Sequence, residues 1–486
     1  MAKRKRNQIN SNSTVVPSDN SSKKSKPLID PIRKHDAAIA VSDLESHEQP
    51  IIFQLITGSY EKILHGVMAT VTGSKVDFVD TFLFHAHTAA IRCLAVSPPT
   101  VGATQQAQKV LLASGGTDER INLYHLSAHA PKPSTKPSTI LAPRVAENPL
   151  NRELGSLLHH SSAVTKLCFP NRSKLLSAAE DRQIAVIRTR DWSLLSSIKS
   201  PAPKQIGRPS GDTAPTGGAP SGVNDFAVHP SMKVMLSVGK GEKCLRLWNL
   251  VTGKKAGALK FDRDHLVQVG EERHSLGEGR RVVWGTTNAG DEFCVGFERG
   301  LLIYGMNSKP RCKVFPEPRT KLHQFSYVRV KGDDMLLAVS TEDGRVLFYS
   351  TKPADLQELA KDSKSAIPSA KPLAQLGGKA VDLSGRIKDF FCLWPEHESP
   401  RFCVIVTAGS DGALRLWQVQ TSDFSEDADG PRQVGTLLGT YETSQRITCL
   451  AAFTMLPYNG TNPAEDNITA LGVHDEISTE ELTDSE

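Results

Sequence analysis

Two pairs of histidines come closest, in residue type and spacing, to a metal site. His85 and His87 are separated by one residue, and His159 and His160 are adjacent. A structural zinc site needs four converging ligands, and the chain contains no Cys-x-x-Cys that could complete one. One member of each pair, His87 or His160, stands four residues before an apolar run, in a pattern that repeats along the chain. We therefore predict a structural role for these histidines and no bound metal.

Motifs for phosphate binding or covalent catalysis are also missing from the sequence. The segment Gly239-Lys240-Gly241-Glu242-Lys243 has the wrong order and spacing for a P-loop and is more simply a turn between strands. There is no Gly-x-Ser-x-Gly nucleophile elbow and no His-Glu-x-x-His zinc helix. Aspartates at turns could suggest a carboxylate pair, but each belongs to its own repeat. The sequence therefore predicts no enzymatic activity and no cofactor.

The elements that must position these residues are short strands, which begin at about residue 50. Apolar, β-branched runs alternate there with Gly, Asp, Ser and Pro, as is typical of all-β folds. The clearest repeat is 404–417, a strand, a tight turn with Asp411, and a second strand that ends at Trp417 six residues later. Five further copies recur along the chain. They are 110–124 with Asp118, 175–187 with Asp181, 336–349 with Asp343, and two degenerate copies, 235–248 with Gly241 and 293–304 with Glu298 in place of the Asp.

A further strand precedes each copy, which completes six units. These strands are 91–96, 164–169, 223–228, 281–284, 326–330 and 387–393. A seventh unit can be assembled from both ends of the chain, with three strands at 51–60, 62–69 and 76–84 and an inner strand at 447–453. Such closure removes the open sheet edges that invite aggregation. The sequence therefore predicts an all-β, seven-bladed β-propeller whose last blade is closed by both termini.

The residues at fixed positions of the repeats match the signature of the WD-repeat (WD40) family. The matches are His87 and His160 at the Gly-His position, Ser114, Ser177 and Thr407 at the strand hydroxyl, Asp118, Asp181, Asp343 and Asp411 at the turn acid, and Trp248 and Trp417 at the strand end. In that family the four residue types form one hydrogen-bonded set inside a blade. Departures are Tyr124, Tyr349 and Ile187 for Trp, and Val339 for the hydroxyl. A buried turn acid implies that Asp411→Ala destabilises its blade by about 1–3 kcal/mol.

Longer stretches resemble one particular WD-repeat family. They are Glu153-Leu154-Gly155-Ser156-Leu157-Leu158-His159-His160, Leu236-Ser237-Val238-Gly239-Lys240, Leu245-Arg246-Leu247-Trp248-Asn249-Leu250, Thr57-Gly58-Ser59-Tyr60-Glu61 and Val295-Gly296-Phe297-Glu298. The chain is similar there to the p21-activated-kinase-interacting protein 1 group, which includes the maintenance-of-killer WD-repeat protein. The resemblance implies a nucleolar, non-catalytic scaffold for assembly of the large (60S) ribosomal subunit and its rRNA processing. It implies more weakly a negative regulator of p21-activated kinases.

The sequence divides into a folded central part and two tails of opposite charge. We expect a propeller at 49–455, interrupted by polar insertions near 128–150, 201–222, 351–380 and 420–433, between a disordered basic tail at 1–48 and a polar, acidic tail at 456–486. Residues 1–34 carry nine Lys/Arg against two Asp, and residues 475–486 carry six Asp/Glu and no Lys/Arg. The N-terminal clusters predict a nuclear import signal, although a solvated or RNA-touching tail is also compatible. The clusters are Lys3, Arg4, Lys5 and Arg6, and then Lys23, Lys24 and Lys26.

The remaining expectations concern compartment and partners. Eight scattered cysteines, several in apolar strands, indicate reduced core residues in the nucleus or cytosol. No apolar run is long enough for a membrane-spanning helix. We expect a protein that is monomeric outside the particle and binds basic ribosomal or similar pre-60S proteins. The N-terminal tail could contact rRNA phosphates non-specifically, and the acidic tail could either screen a basic partner or merely aid solubility.

Overall fold

The computed structural model describes twelve stretches of the 486-residue chain. They are residues 50–98, 108–131, 145–202, 221–271, 275–287, 290–331, 334–357, 367–381, 383, 385–394, 402–424 and 431–456. The predicted N-terminal tail with its import signal lies outside these residues. So do the predicted acidic tail, except Leu456, and the central parts of the four predicted insertions.

The described residues form seven blades of four antiparallel strands each, which confirms the predicted propeller; a parallel bridge from Lys313 to Ser369 joins two of these blades into one larger sheet. The first three strands of the chain are β1 (Ile51–Ser59), β2 (Ile63–Thr72) and β3 (Lys75–His85). Blade 1 comprises β4 (Ile91–Val96), β5 (Lys109–Gly116), β6 (Ile121–Ser127) and β7 (Arg152–Leu157). Blade 2 comprises β8 (Val164–Asn171), β9 (Lys174–Ala179), β10 (Gln183–Arg188) and β11 (Leu194–Lys199).

Blade 3 comprises β12 (Val223–Val228), β13 (Val234–Gly239), β14 (Cys244–Asn249) and β15 (Lys254–Lys260), and is followed by a short helix, α1 (Arg263–Gln268). Blade 4 comprises β16 (Arg281–Thr287), β17 (Gly290–Gly296), β18 (Leu301–Gly305) and β19 (Pro310–Val314). Blade 5 comprises β20 (Leu322–Lys331), β21 (Asp334–Thr341), β22 (Arg345–Ser350) and an outer strand, β24 (Ser369–Gly377), which also pairs with β23 (Leu356–Gln357). Short 3-10 turns lie at Pro353–Asp355, Lys379–Val381 and Thr421–Phe424.

Blade 6 comprises β25 (Ile387–Leu393), β26 (Phe402–Gly409), β27 (Ala413–Gln420) and β29 (Thr436–Glu442), and β28 (Arg432–Gln433) pairs with the outer strand of blade 5. The last strand, β30 (Ile447–Met455), pairs antiparallel with β1, so that blade 7 has the order β3-β2-β1-β30. Its register joins Ile52 to Met455 and Thr57 to Leu450. The predicted closure by both termini is therefore confirmed.

The second strand of each blade is apolar nearly throughout because neighbouring blades cover both of its faces. In β5 every residue after Lys109 is buried, whereas the outer strand β11 is exposed except at Ile198. A strand that is buried on both sides needs a continuous apolar run rather than alternation. The core is accordingly divided into seven apolar clusters, one between each pair of adjacent blades. Phe348 of blade 5 and Trp417 of blade 6, for example, share one cluster.

The ring closes at the innermost strands, each of which contacts the innermost strand of both neighbouring blades. The second or third residue of several of these strands also bonds to the next blade. The Oγ1 of Thr165 lies 2.7 Å from the Val223 carbonyl, and that of Thr448 lies 2.6 Å from the Ile91 carbonyl. Because the innermost and second strands are antiparallel, each innermost strand starts beside the turn between the second and third strands. We call the side of the ring with these turns the motif face.

Candidate functional site: the channel mouth

Hydrogen-bonded sets lie at the motif face in blades 1 and 2. In blade 1 the Nδ1 of His87 is 3.0 Å from Asp118 and its Nε2 is 2.8 Å from the Ser114 hydroxyl. In blade 2 the same atoms of His160 are 3.0 Å from Asp181 and 2.8 Å from Ser177. Since a carboxylate can only accept, Nδ1–H donates to the Asp and the Ser hydroxyl donates to Nε2. Each histidine is thus fully used inside its own blade and has no ring nitrogen left for a metal.

Backbone amides complete the coordination of both turn carboxylates. Asp118 accepts from the amide of Thr88 at 2.9 Å, and Asp181 accepts from the amides of Gln183 at 2.9 Å and Ser161 at 3.2 Å. Burial alone would raise the pKa of each carboxyl group. The hydrogen bonds from the histidine and the amides outweigh burial, so the pKa of Asp118 and that of Asp181 both lie below the ordinary value. These carboxylates are therefore charged and committed to holding their turns.

The closing aromatic residue bonds to the strand hydroxyl in three blades. The indole Nε1–H of Trp248 donates to Ser237 at 2.8 Å, and that of Trp417 donates to Thr407 at 3.2 Å. Tyr124 also contacts Ser114 by a hydrogen bond that lowers the pKa of its phenol, but burial dominates and raises that pKa to about 12. Ile187 of blade 2 and the pair Tyr349 and Val339 of blade 5 lack this bond, and all three side chains are buried. Those two blades rely on packing at this position, as their sequences predict.

The turn acid is paired with an arginine, rather than with a histidine, in blades 3, 5 and 6. Asp343 accepts from the Nη2 of Arg345 at 2.6 Å, and Asp411 accepts from that of Arg415 at 2.8 Å. The Asp411 side chain is 37% exposed. The expectation of a buried carboxylate there is wrong, because blade 6 has no histidine to cover the turn and the long arginine side chain keeps it at the surface.

The turn acid of blade 3 is Glu242, and the assignment of that position to Gly241 is wrong. The turn of blade 3 is one residue longer than that of blade 6, as the pairs Val238–Leu245 and Ala408–Leu414 show. Glu242 forms a two-pronged ion pair with Arg246, and both side chains are only 9% exposed. Gly241 instead has a φ of 72°, a left-handed conformation that glycine adopts without strain.

With the motif residues used internally, the charged groups that remain on the motif face surround the central channel. We call this region the channel mouth, and it comprises Arg92, Lys166, Asp225, Glu278, Arg280, Arg281, Lys321, His323, Gln324, Lys388 and Asp389, with Glu180, Lys240, Glu298, Glu342, Arg386 and Arg446 around its rim. Most of the first group stand at the start of an innermost strand. That position brings one or two charged residues of almost every blade together.

The rim of the channel mouth is held by ion pairs that cross from blade to blade. Glu180 of blade 2 lies 2.8 Å from Arg92 of blade 1 and 3.6 Å from Lys240 of blade 3. Glu298 of blade 4 bridges its neighbours similarly, 3.3 Å from Arg280 and 3.1 Å from Lys321. One carboxylate therefore serves two cations at each of these places. Exposed pairs of this kind stabilise little by themselves. Because each of these two carboxylates faces two cations, both places keep a net positive charge.

Two buried carboxylates lie deeper in the channel mouth, and both form bonds to neighbouring blades. Asp225 accepts from the amide of Val282 at 3.0 Å and lies 3.4 Å from the ammonium group of Lys166. Asp389 accepts from the side chain of Gln324 at 3.1 Å and from the amide of Leu450 at 2.9 Å. Burial raises the pKa of Asp389 despite these bonds. Each carboxylate links two or three blades, which is a structural use of its charge.

One polar cluster outside the channel mouth has the hydrogen-bond order of a hydrolytic triad. The Nδ1 of His229 is 2.8 Å from the Ser231 hydroxyl, and its Nε2 is 3.0 Å from Asp291. The amide of Ser231 also donates to the same Nδ1 at 3.1 Å. Ser231 therefore closes the turn that His229 begins, and the bond to Asp291 joins blade 3 to blade 4. We assign this cluster a structural role.

Metal, thiol and membrane chemistry find no support in the described stretches. No cluster of three or more His, Cys, Asp or Glu side chains that could hold a metal ion occurs among them. All eight cysteines fall within these stretches and are unpaired, and burial raises the pKa of Cys93, Cys312 and Cys403 to about 12. Their thiols stay protonated at neutral pH and act as small core residues. No described helix has both the length and the apolar character needed to span a bilayer.

The sequence analysis names the motif residues but not the channel mouth. A signal for it exists, because Arg92, Lys166, Arg281 and Lys388 each interrupt an apolar inner-strand run with a cation near its start. The repeated position of these cations, rather than any one of them, marks the site. No such pattern marks Asp225, Asp389 and Gln324. Their place in the channel mouth is seen only from the packing of the blades.

Comparison with known proteins places the chain among relatives of the same length. A family model described as "WD domain, G-beta repeat" matches residues 151–187, which cover the outer strand of blade 1 and most of the first three strands of blade 2. The chain is 26% identical to Protein MAK11 of Saccharomyces cerevisiae over 88% of this chain and 91% of that protein. It is 27% identical to a p21-activated protein kinase-interacting protein 1-like protein of Gallus gallus, over 82% of this chain and 80% of that one. It is 22% identical to Shk1 kinase-binding protein 15 of Schizosaccharomyces pombe, over 90% and 92%.

Proposed function

This chain belongs to the WD-repeat family of MAK11 and the p21-activated protein kinase-interacting proteins, and we propose that it is a non-catalytic scaffold in assembly of the large ribosomal subunit. The observation that carries the proposal is the extent of the similarity. It covers 88% of this chain and 91% of MAK11, and thus the whole propeller rather than one repeat. The assembly role itself comes from the family resemblance of the sequence.

The geometry favours binding over chemistry. The polar groups that could have served a reaction are committed to turns, to ion pairs between blades or to buried links across the channel. What the propeller offers is a rigid face framed by loops, on which macromolecular partners can be held in fixed positions. We propose that pre-60S proteins, basic ribosomal proteins among them, bind to such a face.

We further propose that the protein acts in the nucleus and nucleolus. The basic N-terminal clusters supply an import signal, and the same tail can touch rRNA phosphates without reading their sequence. Replacing Lys3, Arg4, Lys5 and Arg6 by Ala in a fluorescently tagged full chain is expected to move the protein to the cytoplasm. Replacing Lys254 and Lys255, an exposed basic pair on the outer strand of blade 3, is the control and should leave the nuclear signal unchanged.

The assembly role is tested by sedimentation of the tagged full chain from cell lysate on a sucrose gradient, with probes for precursor rRNAs. We expect the protein to migrate with the large-subunit precursor peak and to carry its pre-rRNA, and its depletion to reduce those precursors. Migration only as a small free species, without pre-rRNA, would remove the assembly role.

A pair of matched charge reversals identifies the face that holds the particle. Arg280→Glu with Lys321→Glu changes the motif face, and Lys174→Glu with Lys233→Glu changes the exposed turns on the other side of the ring. Because both double variants alter the net charge equally, a difference in co-sedimentation reports the location of the contact and not the charge.

A second candidate is an adaptor that binds and inhibits a p21-activated kinase. It is favoured by the names of several relatives, which describe kinase-interacting or kinase-binding proteins. Direct inhibition of a purified p21-activated kinase by micromolar full-length protein, together with unchanged ribosomal precursors on depletion, would favour this function over assembly. Absence of binding to the kinase would leave assembly as the proposal.

A further inference from the structure

The channel mouth encloses a recess whose size suits a small ligand. Its volume is about 520 Å³, within the range of about 300–1,000 Å³ that small-molecule sites occupy. The recess is lined by the innermost strands of several blades, among them the side chains of Arg92, Lys166, Arg281 and His323. Groups from opposite sides of the ring thus face one enclosed space.

The lining of the recess has more cations than anions. Five Lys/Arg side chains line it, against the three carboxyl groups of Asp225, Glu278 and Asp389. Those carboxyl groups already accept hydrogen bonds from the backbone amides of Val282, Gly241 and Leu450, respectively. Arg281 consequently donates to the neutral amide oxygen of Gln324 and not to a carboxylate. The capacity for further negative charge is therefore greatest at Arg281, because the other four Lys/Arg side chains already lie beside a carboxylate of Glu180, Asp225 or Glu298.

Positive charge is also concentrated where blades 5 and 6 meet. The Nε2 of His323 is enclosed and has no hydrogen-bond partner among the described residues. Burial, followed by the charges of Lys388 and Lys321, lowers the pKa of His323 to about 4. Burial and the charges of Arg386 and Arg446 likewise lower the pKa of Lys388. Burial is the larger cause of both shifts and the neighbouring cations add to it, so several positive charges lie close together at this point.

We propose that the channel-mouth recess binds a compact, multiply charged phosphate anion, with Arg281, Lys321 and His323 as its principal donors and with the charge of Lys388 beside His323. Phosphate oxygens accept several hydrogen bonds at once and suit the fork of an arginine. Cations on separate blades cannot be satisfied by a single charge, so the ligand needs two or more phosphate groups. An apolar ligand would leave these cations without a partner. This site does not depend on the proposed role in ribosome assembly.

Calorimetric titration of the full-length protein tests the site, with inorganic pyrophosphate and inositol hexakisphosphate as probes in buffer of about 0.15 M ionic strength. We expect saturable binding of at least one probe, and a loss of about tenfold or more in affinity in Lys321→Gln, which removes a charge-assisted hydrogen bond, and in Lys388→Gln, which removes a positive charge beside His323. Lys371→Gln, at a half-buried lysine on the outer strand β24, is the matched control and should bind as the wild type does.

A second measurement reports on the recess itself. The imidazole of His323, followed by NMR, should show a higher pKa when the site is saturated, because a bound anion offsets the neighbouring cations. No binding of either probe at millimolar concentration would overturn the proposal. Equal affinity in Lys388→Gln and Lys371→Gln, or a pKa of His323 that does not change on saturation, would overturn it as well. Binding of single-stranded RNA in preference to both compact probes would assign the cations to a nucleic acid instead.

Discussion

Removal of the turn carboxylate should have very different effects in two blades that share the same motif. Asp181 is 4% exposed and accepts from three donors, the His160 ring and the amides of Ser161 and Gln183. Asp181→Ala leaves all three without a partner. At about 1 kcal/mol each for the His160 ring and the Gln183 amide, and less for the amide of the exposed Ser161, the free energy of unfolding should fall by about 2 kcal/mol.

The same substitution in blade 6 is the internal comparison. Asp411 is 37% exposed, and it accepts from the amide of Ala413 at 3.2 Å and from Arg415. Water can replace both bonds, and an exposed ion pair contributes about 0–1 kcal/mol. Asp411→Ala should therefore lower the free energy of unfolding by about 1 kcal/mol or less, not by the larger amount that the sequence alone predicts.

Equilibrium urea unfolding of the two variants, followed by tryptophan fluorescence, measures the difference. The pH dependence adds a second check. The pKa of Asp181 lies below its ordinary value of 3.8, so its stabilisation is present above about pH 4 and is lost as the pH falls below that value. Equal losses for Asp181→Ala and Asp411→Ala at pH 7 would refute the reasoning from burial. So would an effect of Asp181→Ala that persists unchanged at pH 3.

Three further outcomes are expected from urea unfolding. Arg246→Met should lower the free energy of unfolding by about 3 kcal/mol or more because it leaves Glu242 buried without its partner, and adding Glu242→Leu should restore part of the loss; a double variant as unstable as the sum of both would contradict this. Thr448→Val should lose about 1–2 kcal/mol, since its hydroxyl joins blades 7 and 1, whereas Thr448→Ser should lose less. Stability should fall between about pH 6.5 and 4 because the unfolded chain protonates His323 while the fold resists it, and His323→Gln should weaken this dependence; an unchanged slope would argue against the cationic environment.

The architecture could be predicted from the sequence because the same pattern recurs several times, which resolves the choice between strand and helix that a single segment leaves open. A single apolar run such as 91–96 can be a strand or a buried helix, but six runs at matching distances from a turn acid cannot. The seventh blade required one more step, the recognition that β1 lacks an inner partner until β30. Both conclusions follow from the order of strands and turns along the sequence.

Details of charge pairing could not be predicted because they depend on contacts between blades and on turn length. Counting forward from the preceding strand gives Gly241 in blade 3, because that turn has one extra residue, whereas counting six residues back from Trp248 gives the correct Glu242. Asp411 is exposed because blade 6 has no histidine to cover it. The exposure of this side chain can be seen only in the three-dimensional structure of the turn. The channel mouth is formed by residues from several repeats, so it cannot be predicted from the sequence of any single repeat.

The pairing of β1 with β30 also determines when blade 7 can be completed during synthesis of the chain. Gly58 and Thr448, which are bonded in the finished ring, are 390 residues apart. At about 5–20 residues per second, synthesis leaves the edge of β1 waiting for its partner for roughly 20–80 seconds. During that interval a nine-residue strand, apolar on both faces, presents an unpaired edge in the cytoplasm. We therefore expect a chaperone to bind this edge while the chain is being synthesised.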